Sequence, residues 1–154
     1  MPYREKTAWL SIAVTLIVWG YYFARLLPAI GDPGADAGDY IGLFVGCTIV
    51  SILVQIALAI PIALMSRGEA DARPDERETR IDAFSGRIAY LVLLALVATI
   101  ALTSPGLIPA APFLFPAAPT AGIVLVLANA LFAALLVAEI VRSGLQIAMF
   151  RNVL

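Results

Sequence analysis

The chain contains no histidine and a single cysteine, Cys47. Lack of histidine removes the usual zinc and haem ligand, the commonest general base and the side chain that titrates near neutral pH. A lone cysteine excludes an internal disulfide and any multi-thiolate metal site. No metal or other cofactor is expected. Charge is scarce too: 14% of the 154 residues are charged, where a soluble domain carries about 25%. The formal net charge of −1 offers no general attraction to nucleic acid, so direct nucleic-acid binding is not expected. The chain also has no phosphate-binding glycine loop and no nucleophile–base pair, and an enzyme is the class it fits least.

Apolar residues are abundant, at 62% of the chain with a mean hydropathy of +0.96. A bilayer core about 30 Å thick is crossed by about 20 apolar residues in helix, and backbone in lipid must satisfy its own hydrogen bonds. Four runs meet this condition, at about 7–27, 40–65, 87–103 and 120–141. The expected fold is an all-α integral membrane protein, a single membrane domain with four transmembrane helices in two hairpins. Residues 28–39 and 104–119 form the outer loops and 66–86 the inner one. Arg4, Lys6, Arg67, Arg73, Arg77, Arg80, Arg87, Arg142 and Arg151 fall on the side of the termini and the central loop, and only Arg25 falls towards the other. This asymmetry predicts that both termini are cytosolic. Trp9 and Tyr90 suit the inner interface, and Tyr21, Tyr22 and Tyr40 the outer one.

The outer loops differ in character. Residues 28–39 are polar and turn-rich, and Arg25 there either pairs with Asp32, Asp36 or Asp39 or snorkels to the headgroups. Residues 104–119 carry no charge and include Pro105, Pro109, Pro112, Pro116 and Pro119. Proline argues against a regular helix, and Phe113, Leu114 and Phe115 argue against full exposure to water. This segment is expected as an irregular loop in the outer interface or packed over the helices.

Polar groups inside the spans are few: Gln55, Asn129 and Glu139 are the main ones. Gln55 and Asn129 can hydrogen-bond across helices. Glu139 is either a proton or cation site, or the partner of Arg142 three residues on or of a basic residue of the central loop. Two stripes of small residues, Gly38–Gly42–Gly46 and Ala130–Ala134–Ala138, let helices approach closely. They serve the four-helix bundle or a homo-oligomer.

The densest charge lies in the central segment. Pro74 and Asp75 read as a helix start, with Asp75 as N-cap and Glu76 and Glu78 in the first turn. That helix is expected to continue into the third span. Arg77, Arg80, Ile81, Phe84, Arg87 and Ile88 fall on one broad face, suited to an inner leaflet or to a partner. Glu78 and Asp82 fall on another, expected to face the cytosol.

The run Asp75-Glu76-Arg77-Glu78, with Ile81 and Gly86-Arg87-Ile88-Ala89-Tyr90 after it, resembles the cytosolic motif of an uncharacterised group of small bacterial four-helix membrane proteins. The resemblance covers that motif and the four-span layout. It implies the bacterial inner membrane, no catalytic residues, and a partnership with small helix-turn-helix regulators. The expected function is then that of a membrane-bound regulatory or accessory protein. It would bind a cytosolic regulator through Arg73, Asp75, Glu76, Arg77, Glu78, Arg80, Asp82 and Arg87, aided by the termini. Two further readings are an accessory subunit of a larger membrane complex and a small oligomeric transporter or channel with Gln55, Asn129 and Glu139 along its path.

Overall fold

Helix α1 (Tyr3–Val14) passes through one π-helical turn (Thr15–Trp19) into α2 (Gly20–Leu26) and a short 3-10 turn (Leu27–Ala29), making one continuous rod. Three long helices follow: α3 (Ala37–Met65), α4 (Glu76–Leu114) and α5 (Pro119–Arg151). The structure, a computed structural model, describes residues 3–29, 37–65, 75–116 and 118–151, and among these there is no strand. Four helical stretches, Arg4–Leu26, Tyr40–Met65, Glu76–Leu114 and Pro119–Arg151, are long and apolar enough to cross a membrane. The first rod packs against both α3 and α5, and the most extensive contact is between α4 and α5.

Asp75 starts α4 as the sequence predicts. Its backbone is extended, at φ −65° and ψ 156°, and its carboxylate accepts from the Glu76 N–H at 2.7 Å. The Asp75 carbonyl then takes the first helical bond, from the Thr79 N–H at 2.9 Å. Glu76 and Glu78 in the first turn complement the positive end of the helix.

The far end of α4 departs from expectation. The proline-rich segment at 104–119 is not an irregular loop, because α4 continues through Pro105, Pro109 and Pro112 to Leu114. Proline at 105 removes the N–H that would bond the Ala101 carbonyl. The Ser104 hydroxyl donates to that carbonyl instead, at 2.9 Å. Lipid-facing helices tolerate proline where a neighbouring hydroxyl re-satisfies the backbone in this way. The helix ends at Phe115, followed by Pro116, and Pro119 opens α5 at the position where a missing N–H costs nothing. Phe115 folds back onto Gly122, where a Cβ would overlap its ring. Phe113 stays 88% exposed.

Near this end the rod, α3 and α5 meet in an aromatic core. Trp19, Tyr22, Leu26 and Cys47 are buried there, with Phe44 and Phe132 against them. The Trp19 ring lies 4.5 Å from Phe132 and 5.8 Å from Tyr22, edge to face in both cases. Tyr22 is therefore not an interfacial anchor. It is only 2% exposed, and its hydroxyl donates to Asn129 Oδ1 of α5 at 2.7 Å. Tyr40 also packs against this cluster. Tyr21 faces outward, with the Arg25 guanidinium 5.5 Å from its ring centroid.

The two small-residue stripes separate. Ala134 and Ala138 are buried and Ala130 is partly buried. Gly38 lies in the first turn of α3, and Gly42 and Gly46 are exposed with no other helix against them.

Candidate functional site at the charged end

Three ion pairs gather the ends of the chain and the start of α4. Arg4 of α1 meets Glu78 of α4 at 3.2 Å, Arg142 of α5 meets Asp82 of α4 at 2.8 Å, and Arg151 of α5 meets Glu5 of α1 at 3.0 Å. Gln146 adds a bond to the same Asp82 oxygen at 3.0 Å. Arg151 also lies over the Trp9 ring, 5.5 Å from its centroid.

Glu78 and Asp82 thus turn inward, contrary to the outward face expected from the sequence. Helical spacing places Glu78, Asp82, Ser85 and Ala89 on one side, and that side is turned towards α1 and α5. Ser85 is 0% exposed and Ile81 is buried with it, so Ile81 belongs to the inner face and not to the arginine face. Pairing supplies the reason: Arg4 and Arg142 give Glu78 and Asp82 a partner inside the protein, and the arginines of α4 have no ion-pair partner among the described residues.

The opposite side of α4 carries Arg80, Phe84 and Arg87, all exposed. Arg80 and Arg87 make no hydrogen bond or ion pair with the described residues. Arg77 is exposed as well, but reaches the Met149 carbonyl in the last turn of α5 at 3.5 Å, where a cation suits the negative end of that helix. Glu76 and Asp75 are exposed at the helix start. Arg73 lies outside the described residues.

Between α1, α4 and α5 lies a cavity of about 300 Å³. Arg4, Glu78, Asp82, Glu139, Arg142 and Gln146 supply its charged and amide groups, and Ser11 and Ser143 its hydroxyls. Glu139 is not the ion partner of Arg142, although it lies one turn away on α5. Asp82 takes that place from across the interface. The Glu139 carboxylate instead accepts from Ser11 at 3.3 Å and Ser143 at 3.4 Å. The Arg142 Nε is buried without a hydrogen-bond partner.

The three polar residues of the apolar spans do not all meet. Asn129 is held in the aromatic core by Tyr22. Gln55 does not bond across helices; it donates to Ser51 on its own α3 at 3.3 Å. It lines a groove between α1 and α3 with Thr7, Leu10 and Ser11, and Thr7 and Ser11 also line the charged cavity. The cavity itself was not legible from sequence, since its carboxylates come from 61 residues apart along the chain and each had a plausible local role. Among the described residues no group of three histidine, cysteine, aspartate or glutamate side chains is placed to hold a metal. No family model, no curated protein and no solved structure matches this chain.

Proposed function

We propose that this chain is a non-enzymatic, multi-pass protein of the bacterial inner membrane, with both termini cytosolic, that docks a soluble regulatory protein at its charged end. The observation that carries this reading is the division of charge on α4. Its acidic residues Glu78 and Asp82 are consumed by pairs inside the protein, while Arg80, Phe84 and Arg87 are presented outward, the two arginines without a partner among the described residues. Two cations flanking an aromatic ring suit an acidic partner surface with an apolar centre. The resemblance of the Asp75-Glu76-Arg77-Glu78 run suggests a helix-turn-helix regulator as that partner, held at the membrane away from its target.

The test is a mild-detergent pull-down of the tagged chain beside its Arg80→Glu/Phe84→Ala/Arg87→Glu variant. A DNA-binding protein recovered with the first and absent from the second supports the reading. Recovery unchanged by the triple substitution removes the surface from consideration. A second reading, an accessory subunit of a larger membrane complex or a homo-oligomer, is favoured by Gly42 and Gly46 facing outward on α3 among exposed Ile41, Val45, Ile49 and Leu53. Crosslinking along that face with other membrane proteins retained in the triple variant would select it. The transporter reading is left without Asn129, which Tyr22 holds in the aromatic core.

A further inference from the structure

We propose that the cavity between α1, α4 and α5 is a binding site for a small organic cation, a primary ammonium on a short apolar body, with Glu139 as its counter-ion. The inference stands on the cavity alone and is independent of partner docking on the outer face of α4.

The charge count comes first. Glu78, Asp82 and Glu139 line the cavity against Arg4 and Arg142. Both arginines are engaged, with Glu78 and Asp82. Glu139, the third carboxylate, therefore faces the cavity with no ion pair of its own among the described residues, and Arg142, which feels its charge, is already held by Asp82. Its two hydroxyl donors, Ser11 and Ser143, stand at 3.3 and 3.4 Å, longer than the usual 2.7–2.8 Å of such bonds. A loosely held carboxylate is poised for a stronger partner.

Geometry then selects the ligand. An ammonium has three N–H donors and no acceptor. The Glu139 carboxylate takes one, and the Ser11 and Ser143 oxygens, once their hydroxyls turn away, take the others. Ala8, Ile81 and Phe150 line the same cavity and offer apolar surface to a short hydrocarbon body. The volume of about 300 Å³ lies at the small end of ligand sites. An anion of the same shape would meet the Glu139 carboxylate and two guanidinium groups already paired with Glu78 and Asp82, the Arg142 Nε being buried out of its reach.

The experiment is calorimetric titration of the full chain in mild detergent with butylammonium, beside butyrate as the anion of matched shape. Butylammonium is expected to saturate and butyrate to produce no binding heat. Glu139→Gln should weaken butylammonium binding at least 10-fold, the scale of a lost charge-assisted hydrogen bond. Ser143→Ala should weaken it by a few-fold, and Leu102→Ala, exposed on α4 and outside the cavity, should leave it unchanged. Near-UV circular dichroism of each variant checks that Trp19 and Tyr22 keep their packing. Binding retained in a folded Glu139→Gln variant, butyrate binding as tightly, or no saturable binding of the amine would each overturn the proposal.

Discussion

The two ends of this molecule are held by different physics. At one, Trp19, Tyr22, Phe44 and Phe132 interlock ring against ring around a single interhelical hydrogen bond. At the other, Arg4 and Arg142 meet carboxylates that line a cavity and Arg151 meets Glu5 outside it. Lipid is as apolar as a side chain, so burial alone gives membrane helices no reason to associate, and close packing has to. The aromatic end supplies that packing, with edge-to-face contacts of about 0.5–1.5 kcal/mol each beyond area. The charged end relies on ion pairs whose arginines are 38%, 43% and 61% exposed. Water and salt compete for such pairs. One end should set stability and the other should be free to rearrange.

The largest effect should come from Trp19→Ala, which removes ring contacts to Tyr22, Phe44 and Phe132 together. A loss of about 3–5 kcal/mol is expected, read by titrating the folded chain in mixed micelles with a denaturing detergent while following circular dichroism. A loss smaller than that of any single ion-pair substitution would break the comparison. Next, Gly122→Ala should cost about 1–3 kcal/mol by overpacking against Phe115. Phe115→Ala in the same chain should recover most of it, and a double-mutant cycle measures this coupling. Tyr22→Phe should cost about 1 kcal/mol, by leaving Asn129 Oδ1 without its 2.7 Å donor. The smallest effect should be that of Arg4→Ala, at most about 1 kcal/mol at low salt and less at high salt. The Trp19→Ala loss should not move with salt, and the contrast between the two salt responses sharpens the distinction between the ends.

The sequence carried the four apolar helices and their pairing into hairpins plainly, because hydropathy over twenty residues is a strong signal. The start of α4 was legible too, since an aspartate before two glutamates has one good local use. Membrane insertion rests on that hydropathy, and the side on which the termini lie rests on the arginine asymmetry. Three features were hidden for stated reasons. Proline at 105 argued for a loop, and only the position of Ser104 beside it shows how the freed Ala101 carbonyl is satisfied. Adjacent tyrosines look alike in sequence, yet a helix turns them about 100° apart, sending Tyr22 into the core and Tyr21 outward. Glu139 and Arg142 had a good local pairing on one helix. The distant Asp82 displaced it, and no spacing rule along the chain reports a competitor on another helix.

The π-helical turn at Thr15–Trp19 has a consequence for chain length. Such a turn holds one residue more than an α-turn at the same place. The rod on either side keeps its inward faces aligned, Ala8 and Val14 before the turn and Tyr22 and Leu26 after it. Ile17, within the turn, is 73% exposed. Removing it would close the wide turn into an ordinary one without rotating the two halves apart, and circular dichroism of that deletion should match the parent. Elsewhere in the rod the same deletion would swing Tyr22 out of its aromatic neighbours. Relatives of this chain can therefore differ by one residue at this turn and keep the same packing.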